Sequence, residues 1–563
     1  MTDFIVTKSI DLGSLKKETR VALSFLNSRH EYLASLDKEA LGIEIKYEVS
    51  SVDDLEGFLS SPYNHLVDSI RFNNFGVDYQ SLLLAKPLNG TALRKVVIVR
   101  LDAMEFDCSV IVDGVTSFHI NNGQGVSCKG VLPGSVSNVS IIHDYENRDN
   151  RSDLVETMIK QLGSSVVSLD LPNQYKFTSA TIIPSTVDDL KFSSTAASLK
   201  NLIVAQGKVY KNAAVVIQSQ EDFESAKDLS WLGRITCYAV EPMTLTAGLL
   251  GSQINYIHIA NLVGPLAVGV LPSALETLIV DYNEPLAADV LPASLKDLQL
   301  SLYNHAFTAG VLPQQLEKLE INSYNHQINK GDLPSTLTSL SIGSNHPLSA
   351  GVLPSKLQRL IMNSFNQPLE VNVIPSSVTY LGLSSFNQPI TADIFPSTLQ
   401  VLIFSGYKST IPDNLKFTHL SCLSVNTLNA KIADTIQSGK IEIMFEKLEE
   451  NIVLSDNIKD LSLIQIDYSE EEGSTYVPTI YKGLLPSKLE SFTSEGLSLE
   501  AGAIPNSCIY VEIDKSEFEQ DQLPQSVQII KITVRTNVQE WVNKYSKITS
   551  IKTVSVGNIF YSL

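Results

Sequence analysis

The chain has 563 residues, 44% of them hydrophobic and 18% charged, a balance that buries a sizeable core and excludes disorder. Its 42 basic and 61 acidic residues leave a formal charge of −19, which repels nucleic acid and anionic membrane surfaces, and no basic run offsets it. That length fits either roughly three or four globular domains or one long repeat array.

Cys108, Cys128, Cys237, Cys422 and Cys508 are scattered, with no CxxC and no close pair. They read as reduced thiols rather than a disulfide frame. The opening "MTDFIVTKSIDLGSLKK" lacks the apolar core of a secretory signal, so a cytoplasmic location is expected.

In chain order, residues 14–40 carry Leu15, Ala22, Leu26 and Leu33 at helical spacing and no repeat motif. Residues 1–60 are therefore expected to form a helical N-terminal cap. Residues 61–250 show a damaged repeat, as in "VLPGSVSNVSI" at Pro133 and "IIPSTVDDLKF" at Pro184. Within them "GQGVSCKG" (Gly123–Gly130) glances at nucleotide loops, but Cys128 stands where a dinucleotide loop needs Gly. Val131 and Leu132 stand where a phosphate loop needs Lys and Ser or Thr. Met243–Leu275 contains no Asp, Glu, Lys or Arg and imitates a membrane span. Asn255, His258, Asn261, Pro265 and Pro272 oppose a helix that must satisfy its own backbone in lipid.

Residues 251–411 repeat regularly. Pro272, Pro292, Pro313, Pro334, Pro354, Pro375 and Pro396 recur at steps of 20 or 21. A Leu follows each at fixed distance (Leu278, Leu298, Leu319, Leu340, Leu360, Leu381 and Leu402), and a second apolar residue lies two further on. Then comes an Asn: Asn283, Asn304, Asn325, Asn345, Asn366 and Asn387. Constant period with constant chemistry predicts a mainly-β repeat solenoid. L-x-L alternation is a strand with Leu on one face, and each strand pairs with its counterpart in the next coil to build a long parallel sheet. Too few residues remain for a helix, so the return path should be extended and turn-rich. The Asn is expected to turn inward as a structural ladder of buried amides. Residues 412–535 continue the frame with damaged motifs at Pro486, Pro505 and Pro524, and 536–563, with a short helix at "NVQEWVNKYSK", should cap the array.

The copies "SFNQPLEVNVIPSSVTYLGL" and "SFNQPITADIFPSTLQVLIF" resemble the leucine-rich repeat and, more narrowly, the FNIP repeat, named for its Phe-Asn-x-Pro segment. The resemblance is clear over about 250–405. It implies a leucine-rich-repeat fold and protein-binding work, and it implies no chemistry. Some FNIP proteins carry an F-box and serve as substrate receptors of ubiquitin ligases, but the opening Leu-Pro of that module is missing from 1–60. Bacterial leucine-rich-repeat ubiquitin ligases use a Cys in a helical domain, whereas Cys422 and Cys508 sit in strand-like repeats.

His305, His326 and His346 each follow a ladder Asn at steps of 21 and 20, a metal-like spacing. Glu284, Gln367 and Gln388 hold the same place in other coils, so the position is read as a tolerant polar corner and not a metal site. The acidic "SEEEGS" (Ser469–Ser474) reads as a solvated loop. No catalytic, cofactor or metal residue is assigned, and the chain is read as a non-enzymatic scaffold. The candidate partner-binding surface is the concave sheet face: Tyr256, His258, Ile279, Asp281, Asp297, Gln299, Lys318, Glu320, Arg359, Ile361, Tyr380 and Ile403. Arg359 and Tyr380 fall on adjacent rungs and are of the types enriched at binding hot spots.

Overall fold

The computed structural model describes residues 18–21, 23–41, 43–122, 127–143, 154–239, 241–308, 310–466, 477–514, 522–532, 553–556 and 559–562. A single short turn explains why the chain coils. In coil after coil the Pro carbonyl accepts a hydrogen bond from the amide three residues on: Pro272 from Leu275 at 3.1 Å, Pro313 from Leu316 at 3.1 Å, Pro396 from Leu399 at 3.1 Å. Pro has no amide to satisfy and its φ is fixed, so the turn loses little entropy on folding. It delivers a buried apolar residue, and the L-x-L strand follows. The damaged motifs keep the same bond: Pro133 to Val136, Pro184 to Val187, Pro486 to Leu489, Pro505 to Cys508 and Pro524 to Val527.

Within each unit described below, the strands pair in parallel from coil to coil. Leu278 lies opposite Leu298, Leu298 opposite Leu319, Leu319 opposite Leu340, and on through Leu360, Leu381, Leu402 and Leu423. These leucines are at most 2% exposed. Burying each one contributes about 2 kcal/mol, which makes the inward row the main source of stability. The fold is a mainly-β repeat solenoid.

Contact density divides the chain into two units. The first comprises Met1–Leu262, Gly269–Leu275 and Ile559–Ser562. In its sheet Glu18–Val21 is flanked on one side by Glu44–Val49 and on the other by Ile559–Ser562, with Val21 opposite Phe560. Helices interrupt the return paths here: Val52–Ser60, Val77–Ala85, Leu154–Lys160 and Gln220–Ala226. Ser51 starts the first of these by accepting the Asp54 amide at 3.1 Å, and the Asp222 carboxylate accepts the Ser219 amide at 2.9 Å to start the last.

The second unit comprises Val263–Val268, Glu276–Asn558 and Leu563. Its sheet runs from Thr277–Val280 to Thr553–Val556. Among the described residues its return paths hold one α-helix, Ala430–Thr435, and one 3-10 turn, Ala392–Ile394. Adjacent coils approach so closely at Gly343 that a Cβ there would lie 1.9 Å from the Asn322 carbonyl oxygen. Only glycine fits.

One expectation about the elements needs correction. Residues 1–60 hold helices, Leu23–Ser28, His30–Ser35, Lys38–Leu41 and Val52–Ser60, but they also give two strands to the sheet. They extend the array rather than only capping it, because Ile45 and Tyr47 continue the inward row. The charge-free Met243–Leu275 stretch contains the strand Tyr256–Ile259, and no helix among the described residues is long and apolar enough to cross a membrane. Cys108 and Cys128, distant in sequence, come into contact because one coil separates them. The expected "NVQEWVNKYSK" helix, the "SEEEGS" loop and Gly123–Val126 of "GQGVSCKG" lie outside the described residues.

Candidate protein-binding face

Strand alternation sorts each coil's side chains by parity. The residues between the buried leucines stand on the opposite face in two registered columns. One runs Thr277, Asp297, Lys318, Ser339, Arg359, Tyr380, Val401 and Cys422. The other runs Ile279, Gln299, Glu320, Ser341, Ile361, Gly382, Ile403 and Ser424. Of the expected binding residues, Tyr256 and His258 belong to the first unit, while Ile279, Asp281, Asp297, Gln299, Lys318, Glu320, Arg359, Ile361, Tyr380 and Ile403 belong to the second. Asp281 follows the end of its strand at Val280.

Arg359 and Tyr380 do more than share a column. The guanidinium of Arg359 lies 3.6 Å from the centre of the Tyr380 ring. Stacking pre-orders a long side chain and leaves its donors outward. Ile361 and Ile403 flank the pair from the second column; Gly382 between them carries no side chain, and Ile361 lies over it. Here an exposed cation, a half-buried phenol and an apolar strip sit within three rungs.

Sequence reasoning missed the same device in the first unit. Arg234 lies 3.7 Å over the Tyr256 ring, one rung away, and exposed Tyr238 meets His258 edge-on at 5.1 Å. The register would have found Arg234 had the frame been carried one coil before the regular repeats. Elsewhere the face is internally paired. Asn322 donates to Glu320 at 2.8 Å and accepts from Ser341 at 2.7 Å. Near the end of the second unit, Lys531 forms a buried ion pair with Glu512, which also accepts the Tyr510 hydroxyl at 3.0 Å. Burial, then Glu512, drives the Tyr510 phenol well above its usual range.

The Asn ladder differs from expectation in where it lies. Each side-chain oxygen accepts the amide of the next Asn: Asn283 from Asn304 at 2.9 Å, Asn304 from Asn325 at 2.9 Å, Asn325 from Asn345 at 3.2 Å. Asn345 accepts from Asn366 at 2.7 Å, Asn366 from Asn387 at 2.9 Å, and Asn387 from Lys408 at 2.8 Å. Yet the asparagines are exposed, apart from half-buried Asn366, and are not inward amides. The residue before each takes the interior: Tyr282, Tyr303, Tyr324, Phe365 and Phe386 are buried, as is Ser344 before Asn345, and Tyr407 holds the same place before Lys408. An aromatic fills the space beneath the corner, and a polar amide has no reason to desolvate there. The Tyr282 hydroxyl also accepts the Leu266 amide at 3.1 Å, and burial pushes that phenol up.

The histidines join coils. The Nε2 of His305, His326 and His346 each donates to the carbonyl of the preceding coil's Asn, Asn283, Asn304 and Asn325, at 2.9, 2.9 and 3.1 Å. Gln388 replaces them by donating to the Asn366 carbonyl at 3.1 Å, and Ser409 to that of Asn387 at 3.0 Å. The position is a hydrogen-bonding one, and Gln388 is half-buried rather than a free corner residue.

One inward row, one parallel strand per coil and an Asn corner define a leucine-rich-repeat fold. The family model for the FNIP repeat matches residues 264–303, 303–345, 324–364, 344–386 and 365–407. The chain carries FNIP repeats over that span. No curated protein matches it. Among solved structures it is similar to CroV588, described as a novel circular LRR protein structure. That likeness has a TM-score of 0.45 and 18% identity over 92% of this chain and 82% of the other. It is also similar to YopM from Yersinia enterocolitica WA-314, with TM-score 0.31 and 16% identity over 84% of this chain and 85% of the other.

Proposed function

We propose that the chain is a non-enzymatic, cytoplasmic binding scaffold whose sheet face, centred on Arg359 and Tyr380, takes a protein partner. The stacked Arg–Tyr pair beside Ile361 and Ile403 carries the reading. A desolvatable aromatic and aliphatic patch with a pre-ordered guanidinium is the composition of an interface core. The partner presents a carboxylate to Arg359 and apolar surface to Tyr380 and Ile403. The net charge of −19 favours a protein over nucleic acid or an anionic membrane. A scaffold is favoured over a thiol enzyme by the state of the cysteines. Burial, then Glu442, raises the Cys422 thiol to about 11, and burial raises Cys508 to about 12. Thiols held protonated are poor nucleophiles.

The test is capture of the native partner by three full-length proteins: wild type, Arg359→Ala/Tyr380→Ala, and Glu284→Ala/Lys356→Ala, which alters exposed positions off this face. The face variant should lose about 2 kcal/mol or more of binding while unfolding within about 1 kcal/mol of wild type. Retention of the partner by the face variant and its loss by the other would place binding elsewhere.

A further inference from the structure

Cys108 and Cys128 are separated by 20 residues, one coil of the first unit, and their sulfurs lie 2.9 Å apart. Two thiol sulfurs that are merely packed do not approach so closely. The backbone holds them there. Glu105–Asp107 pairs in parallel with Ser127–Lys129, Phe106 opposite Cys128, and the Thr157 hydroxyl accepts the Cys128 amide at 3.0 Å. Behind the pair sits Met158, its sulfur 3.9 Å from Cys108 and 3.8 Å from Cys128. Cys108 is 0% exposed and Cys128 7%. The remaining thiols, Cys237, Cys422 and Cys508, lie on other coils and are free.

We propose that Cys108 and Cys128 form a reversible disulfide that staples two adjacent coils under peroxide. The sulfurs need close by only about 0.9 Å to reach bonding distance, which small side-chain rotations supply. The two sites are not equivalent. The bond to Cys128, then burial, holds the Cys108 thiol protonated, well above its usual range. Both are buried, but Cys128 is the less enclosed, and a small oxidant reaches it first. Its thiolate attacks one oxygen of hydrogen peroxide, the O–O bond breaks, and sulfenic acid forms as water leaves with the proton. The Cys108 sulfur then attacks the Cys128 sulfur, giving up its proton, and the hydroxyl leaves as a second water. The two thiols lose two electrons and two protons, and one peroxide becomes two waters. Dithiothreitol reverses the bond by exchange. This inference is independent of the proposed binding face.

The experiment uses the reduced full-length protein, treated natively with hydrogen peroxide, alkylated after denaturation, and weighed intact. Two of the five thiols should become unavailable, with loss of two hydrogens. Mapping without reductant should find one linked peptide pair, joining Cys108 to Cys128. Dithiothreitol should restore all five thiols, and the oxidised protein should melt about 5 °C higher. Cys108→Ser, checked for native circular dichroism, should yield no linked pair and leave Cys128 as a trappable sulfenic acid. Five free thiols after oxidation, a bond to any other cysteine, or irreversible oxidation of Cys128 in the wild type would each overturn the proposal.

Discussion

The regular coils of 264–407 and the irregular coils of the first unit share a turn and a strand and differ at the corner and the return path. Both place an apolar residue three positions after a Pro, through the same carbonyl-to-amide bond, at Pro184 and at Pro313 alike. Both then bury alternate side chains, Leu169 and Leu190 in one and Leu319 and Leu340 in the other. The regular coils add an outer seam in which Asn and His, Gln or Ser tie each corner to the last. The irregular coils insert helices instead, two of them, Val52–Ser60 and Gln220–Ala226, with a side-chain start signal of their own. Turn and strand are therefore the obligatory part of a coil, and the corner is where coils are free to diverge.

The sharpest way to break that view is at the shared element. Leu340→Ala and Leu169→Ala, both 0% exposed, should each cost about 3 kcal/mol by urea unfolding. A much smaller cost for Leu169 would mean that the irregular coils rest on their helices. Gly343→Ala should follow at roughly 2 kcal/mol, because its methyl meets the Asn322 carbonyl and the coils must separate; an unchanged midpoint would show that they can. Tyr282→Phe removes the acceptor of the buried Leu266 amide, and thermal melting should report a loss of about 1 kcal/mol. Asn345→Ala should be milder, about 0.5–1 kcal/mol, since the Asn366 amide it uncaps is near water. If it costs as much as Leu340→Ala, the seam and not the core holds the coils together.

The sequence disclosed period, strand parity and register, because the Leu and Pro positions are dictated by packing and turn geometry and recur. It misplaced Asn345 and its equivalents, since an amide ladder looks the same in sequence whether it faces inward or lies at an exposed corner. What decides the matter in the other five coils is the preceding Tyr or Phe, which competes for the interior and wins on apolar area, whereas before Asn345 the small Ser344 takes that place. The stacking of Arg359 on Tyr380 was half legible: adjacency followed from the 21-residue step, but the contact depends on side-chain direction. The contact of Cys108 with Cys128 escaped because the repeat motif is damaged there and gave no frame to align them.

The pairing of Glu18–Val21 with Ile559–Ser562 has a consequence for synthesis. The strand Glu18–Val21 leaves the ribosome some 538 residues before its second neighbour is made, from Val21 to Ile559. At translation rates of roughly 5–20 residues per second, its open edge waits for about half a minute to two minutes. Throughout that wait the backbone amides of one side are available to any extended chain nearby, including another nascent copy. The nascent chain must then be shielded for longer than its individual coils take to form, and a message truncated before Ile559 would leave that edge uncovered for good.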